Sequence, residues 1–181
     1  QWHAEGHTGL RVAVNLSTVQ LHHAELPRMV SNLLQVYRLP PRSLELEVTE
    51  TGLMEDIDAA AHNLHSLRRS GALIAIDDFG TGYSSLNYLK QFPIDVLKID
   101  RSFVDGVPGG EQDAQIARAI IAMAHKLGLK VVAEGVETKA QWDMLQAMHC
   151  DLIQGYYLAR PMAAEEALRW QQHRCQMSAP Q

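Results

Sequence analysis

The chain has 181 residues, of which 46% are hydrophobic and 20% charged, and its formal net charge is −5. This apolar share excludes a wholly disordered chain, and no apolar run is long enough to predict a membrane span, so we expect one soluble domain without membrane contact. The acidic balance argues against a nucleic-acid polymer as partner, because phosphate-backbone binding relies on clustered lysine and arginine. The two cysteines, Cys150 and Cys175, form no disulfide pattern, which is typical of a reducing compartment.

Apolar runs rich in β-branched residues alternate along the chain with stretches of helical spacing. In chain order they predict strand 11–16, helix 26–39, strand 44–49, helix 54–69, strand 73–76, helix 84–91, strand 96–99, helix 113–127, strand 130–133, a helix from 138 to about 149, strand 152–157 and helix 163–173. The capping box predicted at Thr138 and Gln141 marks the start of the fifth helix.

Strands that alternate with helices pair in parallel through right-handed crossovers, so the fold class is α/β. Two architectures fit this pattern, an open doubly wound sheet and a closed (β/α)8 TIM-like barrel. A barrel collects functional side chains at the carboxyl ends of many strands, whereas an open sheet gathers them at one switch point. Polar residues follow almost every predicted strand, so we predict the barrel, with about six βα units in this chain.

The polar residues at these strand ends suggest a metal site. Carboxylates that converge at one rim cannot all stay ionised unless cations compensate their charge. Oxygen ligands suit Mg²⁺ or Mn²⁺, and one carboxylate shared by two ions gives the two-metal arrangement used for displacement at phosphorus. The polar residues at the strand ends are Asn15, Glu47 with Glu50, Asp77 with Asp78, Lys98 with Asp100, Glu134 with Glu137, and Gln154. The converging ligands would be Asn15, Glu47, Asp77, Asp78 and Glu134, and Lys98 would be the only cation among the acids.

Each of these residues also has a simpler interpretation. A single acid after a strand is more often a helix N-cap or a solvated loop residue, and Asp77-Asp78 also fits an ordinary turn. Lys98 faces either the barrel interior or the helix layer, and a buried lysine is costly unless it is paired. Coincidence at five or six strand ends is harder to accept. The sequence holds no H-E-x-x-H, P-loop or G-x-S-x-G motif that would favour another chemistry.

Taken together, the strand-end motifs resemble the bacterial EAL domain. The matching segments, in order over nearly the whole chain, are V-N-L-S (14–17), E-V-T-E (47–50), D-D-F-G-T-G-Y-S-S (77–85), K-I-D (98–100), E-G-V-E (134–137) and Q-G-Y (154–156). The family consists of phosphodiesterases that linearise the second messenger cyclic di-GMP to pGpG. The resemblance implies a cytoplasmic hydrolase of bacterial signalling, of the kind that controls biofilm formation.

The resemblance also implies two metal ions, Mg²⁺ or Mn²⁺, in each active site. Asn15, Glu47 and Asp77 would bind one ion. Asp77, Asp78 and Glu134 would bind the other, so that Asp77 bridges the two.

Further roles follow from the same resemblance. Lys98 would position the attacking water, with Glu137 and Gln154 as supporting groups around it. Asp100 would lie near the guanine of the substrate. Glu50 would anchor the loop that follows the paired aspartates, and this loop with a neighbouring helix would form a homodimer.

The sequence departs from the family pattern in one respect. No Glu-Ala-Leu motif precedes the segment of Asn15, although the glutamate of that motif is a ligand of the first metal; the E-A-L at 166–168 lies in the last predicted helix. We therefore expect residues 1–174 to be the C-terminal three-quarters of an EAL domain without its two front strands, and 175–181 to be a disordered tail. We expect an upstream sensor or diguanylate cyclase (GGDEF) domain in the parent protein.

The missing glutamate leads us to expect that this chain alone is inactive or weak. Two alternatives to an active enzyme stay open: a non-catalytic receptor for cyclic di-GMP, and a degenerate regulatory EAL module.

Overall fold

Six parallel strands form one sheet in the computed structural model, which describes residues 2–3, 5–7, 9–81 and 89–177, with side chains up to residue 173. Each strand is hydrogen-bonded to the next one along the chain, so the order never reverses as it does in a doubly wound sheet. This is the sequential order of a barrel, and the α/β prediction is confirmed. The strands are β1 (Val12–Leu16), β2 (Leu44–Thr49), β3 (Leu73–Phe79), β4 (Val96–Ile99), β5 (Lys130–Ala133) and β6 (Leu152–Ile153).

Helices follow the strands among the described residues. They are α1 (Thr18–Leu21), α2 (Leu26–Val36), α3 (Glu50–Met54), α4 (Ile57–Arg69), α5 (Arg101–Asp105), α6 (Glu111–Lys126), α7 (Lys139–Ala147) and α8 (Ala164–Met177). The three helices of four or five residues were not predicted, because one turn carries too little periodicity to stand out. Most of the predicted helix 84–91 lies outside the described residues.

Local signals place most of these boundaries. The predicted capping box is present at the start of α7, where Thr138 accepts from the backbone of Gln141 and the Gln141 side chain accepts in return. Asp56 is the N-cap of α4, and its side chain accepts from the backbone nitrogen of Ala59. Two predicted strands are wrong in length. Strand 152–157 was expected, but β6 ends at Ile153 because Gly155 turns the chain toward the preceding loop. Strand 73–76 was expected, but β3 continues to Phe79.

The two faces of the sheet have different partners. One face packs against the helices and forms the hydrophobic core, with Leu46, Val48, Ile74, Ile76, Leu97, Ile99, Val131 and Ala133 among its buried residues. The residues between them alternate to the other face, as strand geometry requires. That second face carries the polar side chains of the candidate site.

Two aspartates hold the amino ends of the strands. Asp95 accepts from the backbone nitrogen of Ile74 at 3.2 Å and from Arg68 at 3.2 Å. Asp151 accepts from the backbone nitrogen of Val131 at 2.9 Å. These contacts hold strand starts in place, at the end of the sheet that in barrels serves stability rather than chemistry. None of the helices in the described part of the chain is long and apolar enough to cross a membrane.

Candidate active site

The register of the strands brings the predicted site residues to one face and one rim. Asn15 pairs with Glu47, and Glu47 pairs with Ala75, which precedes Asp77 by two residues. Because side chains two residues apart in a strand share a face, Glu47 and Asp77 point the same way. The pairing of Lys98 with Val132 places Glu134 on that face as well, one step beyond the end of β5.

Lys98 occupies the centre of this face. Its Nζ lies 2.7 Å from Glu134 Oε1, 2.8 Å from Glu47 Oε1 and 3.0 Å from Asp77 Oδ1, and only 5% of its side chain is exposed. Of its two predicted orientations, the structure therefore shows the interior one. Burial disfavours the charged lysine, but the hydrogen bonds to Glu134, Glu47 and Asp77 outweigh it and raise the pKa of Lys98. The ammonium stays charged among the carboxylates.

Three carboxylates form a cluster suited to a cation. One oxygen each from Asp77, Asp78 and Glu134 lie within 4.8 Å of one another. Burial raises the pKa of Glu134 in spite of its bond to Lys98, and burial with the nearby charge of Asp77 raises the pKa of Asp78. These groups therefore hold their protons more tightly than free carboxyls, and a hard divalent ion would stabilise their ionised forms.

The backbone of Asp78 explains how two adjacent aspartates reach one site. In a regular strand they would point to opposite faces. Here the pairing of β3 with β4 shifts register between Ile76 and Phe79, and Asp78 has a left-handed φ of 52°. Its amide donates to Asp77 Oδ1 at 3.1 Å, which stabilises this turn. The chain therefore bends at this strand end, and carboxylate oxygens of both aspartates reach the same cluster.

Glu50 lies behind the same turn. It is the first residue of α3 and is almost fully buried, and its Oε2 accepts from the backbone nitrogen of Gly80 at 3.0 Å. Its Oε1 is buried without a hydrogen-bond partner among the described residues. The contact that the loop-anchoring prediction requires is present at the start of the loop, but residues 82–88 lie outside the described part.

The loop 134–137 and the turn after β6 pack against each other. The nitrogen of Val136 donates to the carbonyl of Gln154 at 3.1 Å, and that of Tyr157 donates to the carbonyl of Val136 at 2.9 Å. Gln154, Glu137 and Glu134 line a cavity of about 220 Å³ beside the acidic cluster. Glu137 pairs with Arg101, since its Oε1 lies 3.0 Å from Arg101 Nη2.

Two other predicted residues lie in different settings. Asn15 is solvent-exposed on β1, next to Glu47 in register. Asp100 is the N-cap of α5 and accepts from the nitrogen of Ser102 at 3.0 Å. Burial opposes it, yet the side-chain and backbone bonds from Ser102 lower the pKa of Asp100. The simpler N-cap interpretation therefore holds for Asp100, whatever else this carboxylate contacts.

Gly155 makes the close packing of these two loops possible. A methyl group at this position would overlap the carbonyl oxygen and the amide nitrogen of Val136, both of them backbone atoms. We expect Gly155→Ala to lower the free energy of unfolding by about 1–3 kcal/mol through overpacking. Urea unfolding measures this, with Gly109→Ala as the matched control because open space surrounds Gly109. Equal stability of the two variants would contradict the described packing.

The sequence profile of the EAL domain family matches residues 1–161. The chain belongs to the EAL domain family. It is 52% identical over 170 residues to the cyclic di-GMP phosphodiesterase NbdA of Pseudomonas aeruginosa, covering 92% of this chain and 22% of NbdA. It is 48% identical over 167 residues to the bifunctional diguanylate cyclase/cyclic di-GMP phosphodiesterase MucR of the same organism, covering 92% of this chain and 24% of MucR. The chain thus spans about a quarter or less of the length of these curated relatives.

Solved EAL structures share the fold. The MucR phosphodiesterase from Pseudomonas aeruginosa in complex with c-di-GMP has a TM-score of 0.87 at 48% identity, over 92% of this chain and 67% of that one. The EAL domain of Mycobacterium smegmatis DcpA has a TM-score of 0.89 at 38% identity, over 99% and 79%. These neighbours are TIM-barrel-like, so the sheet described above belongs to the barrel class predicted from the sequence.

Arg101 is the residue of this rim that the sequence analysis missed. It lies directly after Asp100 and contacts Glu137, two positions that were both predicted. An arginine at the first position of a short unpredicted helix gives no pattern of its own. The signal available was its place in the chain, one residue beyond a strand-end motif.

Proposed function

We propose that this EAL domain hydrolyses cyclic di-GMP to linear pGpG with two divalent metal ions, Mg²⁺ or Mn²⁺. The observation that carries the proposal is the buried Lys98 with three carboxylates around its ammonium, next to the cluster that Asp77 and Glu134 form with Asp78. Oxygen ligands of this kind suit hard cations. Relatives named as cyclic di-GMP phosphodiesterases, at 48% identity or more, support the same substrate.

The carboxylates would hold the metal ions in two overlapping groups. We assign Asn15, Glu47 and Asp77 to one ion, and Asp77, Asp78 and Glu134 to the other. Bound metal would supply hydroxide near neutral pH and would neutralise charge on the phosphodiester. The raised pKa values of Asp78 and Glu134 mean that their ionised forms are disfavoured, and a bound cation would stabilise those forms.

The chain's own side chains would do the positioning. Lys98 donates hydrogen bonds to Glu134, Glu47 and Asp77, and we assign it to orienting the attacking water. Gln154 and Glu137 line the adjacent cavity and would complete the polar surroundings of that water. Asp100 is assigned to the guanine; its bonds to Ser102 are both made by Oδ1.

The pKa values give this proposal a pH dependence. A carboxyl must lose its proton to bind metal, so affinity falls as pH drops through the pKa of the ligands. Because the pKa values of Asp78 and Glu134 lie above the ordinary 3.8 and 4.5, the loss should begin at higher pH than for solvated carboxyls. Calorimetric Mn²⁺ titrations from neutral to mildly acidic pH measure this, and binding should release protons. An affinity that stays constant over this range would contradict the assignment.

A non-catalytic receptor for cyclic di-GMP is the second candidate. Within these 181 residues no Glu-Ala-Leu motif precedes Asn15, so the first proposed metal has one ligand fewer in this chain by itself. The E-A-L at 166–168 does not replace that motif, because it lies in α8 next to the other end of β1. Glu165 and Leu168 line a cavity with Val12 at the start of that strand, whereas Asn15 is near its end. We therefore propose that the 181-residue chain alone turns over weakly at best.

We propose further that the domain acts in the cytoplasm and pairs with a second copy through the loop after Asp78. In this proposal it is regulated by a sensor or GGDEF domain of the parent protein. The contact of Glu50 with Gly80 would connect the dimer loop to the acidic cluster.

A hydrolysis assay tests the proposal. The full-length gene product that carries this sequence would be incubated with cyclic di-GMP and Mg²⁺ or Mn²⁺, and products separated by chromatography. We expect pGpG to form with metal and to stop forming when a chelator is added. Unchanged cyclic di-GMP, with metal occupancy confirmed, would overturn the enzymatic proposal. Tight calorimetric binding in that case would establish the receptor.

A further inference from the structure

Arg101 is held at three points beside the loop 134–137. Its Nη2 binds Glu137 Oε1 at 3.0 Å, and its Nε binds both carboxylate oxygens of Asp105 at 3.1 and 3.2 Å. Asp105 lies one helical turn away on α5, at the (i, i+4) spacing that favours such pairs. The guanidinium is therefore oriented by its own helix before it reaches the neighbouring loop.

The stem of Arg101 packs on the same loop. A Cβ atom added to Gly135 would overlap the Cβ, Cγ and Cδ atoms of the arginine, so only a glycine leaves room for it. Gly135 also has a left-handed φ of 71°, which glycine adopts without strain. Arg101 thus covers the backbone between Glu134, which binds Lys98, and Glu137, which lines the cavity.

The turn after β6 also holds this loop. Val136 donates to the carbonyl of Gln154, and Tyr157 donates to the carbonyl of Val136. The loop backbone has two more partners: the nitrogen of Glu134 donates to the carbonyl of Ile99 at 3.1 Å, and that of Glu137 donates to Gln141 Oε1 at 2.8 Å. To these backbone contacts Arg101 adds a charged side chain that binds Glu137.

We propose that Arg101 is a positioning residue for the proposed hydrolysis. It holds the loop 134–137 so that Glu134 faces the acidic cluster and Glu137 faces the cavity. The expected fall in kcat rests on the proposed function, whereas the expected loosening of the loop 134–137 does not. Arg101 acts through Glu137 and the loop backbone, and Asp105 acts through Arg101.

Direct binding of a substrate phosphate is the competing role for this guanidinium. Two carboxylates already contact Arg101, and they satisfy much of its charge and donor capacity. The two roles predict opposite results at Asp105. Removing Asp105 would free a phosphate-binding arginine and strengthen substrate binding, whereas it would loosen a positioning arginine and slow turnover.

A role in overall stability predicts a different result again. The side chains of Arg101, Asp105 and Glu137 are 54%, 50% and 40% exposed. Exposed ion pairs contribute little to folding, so Arg101→Ala should leave the melting temperature close to that of a surface control. Arg28→Ala is the matched control, because Arg28 forms an exposed ion pair with Glu25 away from the site.

The experiment combines kinetics and hydrogen exchange on the full-length protein. We expect Arg101→Ala to lower kcat between about 10-fold and 100-fold, as displaced reacting groups do, with KM nearly unchanged. Arg101→Lys should recover part of the loss, and Asp105→Ala should lower kcat in the same direction. Adding Asp105→Ala to Arg101→Ala should cause no further loss, because both act on the same loop.

Exchange at the amide of Val136 supplies the readout that needs no turnover. It should be faster in Arg101→Ala than in Arg28→Ala, because the loop loses the packing of the arginine stem on Gly135 and the ion pair at Glu137. Unchanged exchange and unchanged kcat in Arg101→Ala would overturn the inference, as would a change in KM alone. If the wild-type protein is inactive but Arg101→Ala speeds exchange, the proposed function fails while the positioning stands. Should Arg101→Ala not fold, Arg101→Lys and Asp105→Ala carry the same comparison.

Discussion

Replacing Asp77 by asparagine is expected to lower cyclic di-GMP turnover by about 10³-fold or more. Asp77 belongs to the carboxylate cluster and also lies 3.0 Å from Lys98 Nζ, so in our account it is the ligand that both metal ions share. Asparagine keeps the shape but removes the negative charge that binds them. Without the metal ions the transition state loses several kcal/mol of charge stabilisation, which corresponds to this fall in rate. Steady-state production of pGpG measures it.

The control for Asp77→Asn is Asp143→Asn. Asp143 lies on the exposed surface of α7 and pairs with Lys139, so the same chemical change there removes no proposed ligand. Its turnover should equal that of the wild type. Similar rates for Asp77→Asn and Asp143→Asn would contradict the assignment of Asp77 to the metals.

Lys98→Met is expected to destabilise the metal-free protein by about 3–5 kcal/mol, the range for removing one partner of a buried ion pair. Methionine is similar in length, but it leaves Glu47, Asp77 and Glu134 without their ammonium partner. The carboxylates then repel one another in a poorly solvated site. Urea unfolding in the presence of a chelator measures the loss.

Divalent metal should reverse part of this destabilisation. A ligand that binds only the folded state stabilises it in proportion to the logarithm of its concentration, and Mn²⁺ would compensate the charge that Lys98→Met exposes. The control is Lys139→Met, which removes an exposed ion pair and should cost little in either condition. A Lys98→Met protein as stable as this control would contradict the electrostatic role given to Lys98.

The chemistry-bearing residues could be predicted because strand ends leave a clear sequence pattern. Buried β-branched runs fix where the strands lie, and parallel strands bring their carboxyl ends to one rim, so Glu47, Asp77 and Glu134 could be placed together without coordinates. The buried Lys98 followed from the cost of an unpaired charge inside the fold. In each case the inference depended on a strong energetic preference.

Other features depend on local geometry that the sequence does not encode visibly. The left-handed backbone of Asp78 arises from a register shift between two strands, and no residue type at that position demands it. The contact between Arg101 and Glu137 joins helix α5 to a loop 36 positions further along the chain, through side chains that are both exposed. The early end of β6 follows from the close approach of Gly155 to Val136. Each is a tertiary effect that overrides local propensity.

The central claim is that the carboxylates at the strand ends bind divalent metal ions around Asp77. Anomalous X-ray scattering from crystals of the full-length protein grown with Mn²⁺ tests this claim most directly. Our account predicts two anomalous peaks that share Asp77, one of them also in contact with Asp78 and Glu134. Crystals that show an anomalous Mn²⁺ peak elsewhere on the protein but none at the acidic rim would contradict our account.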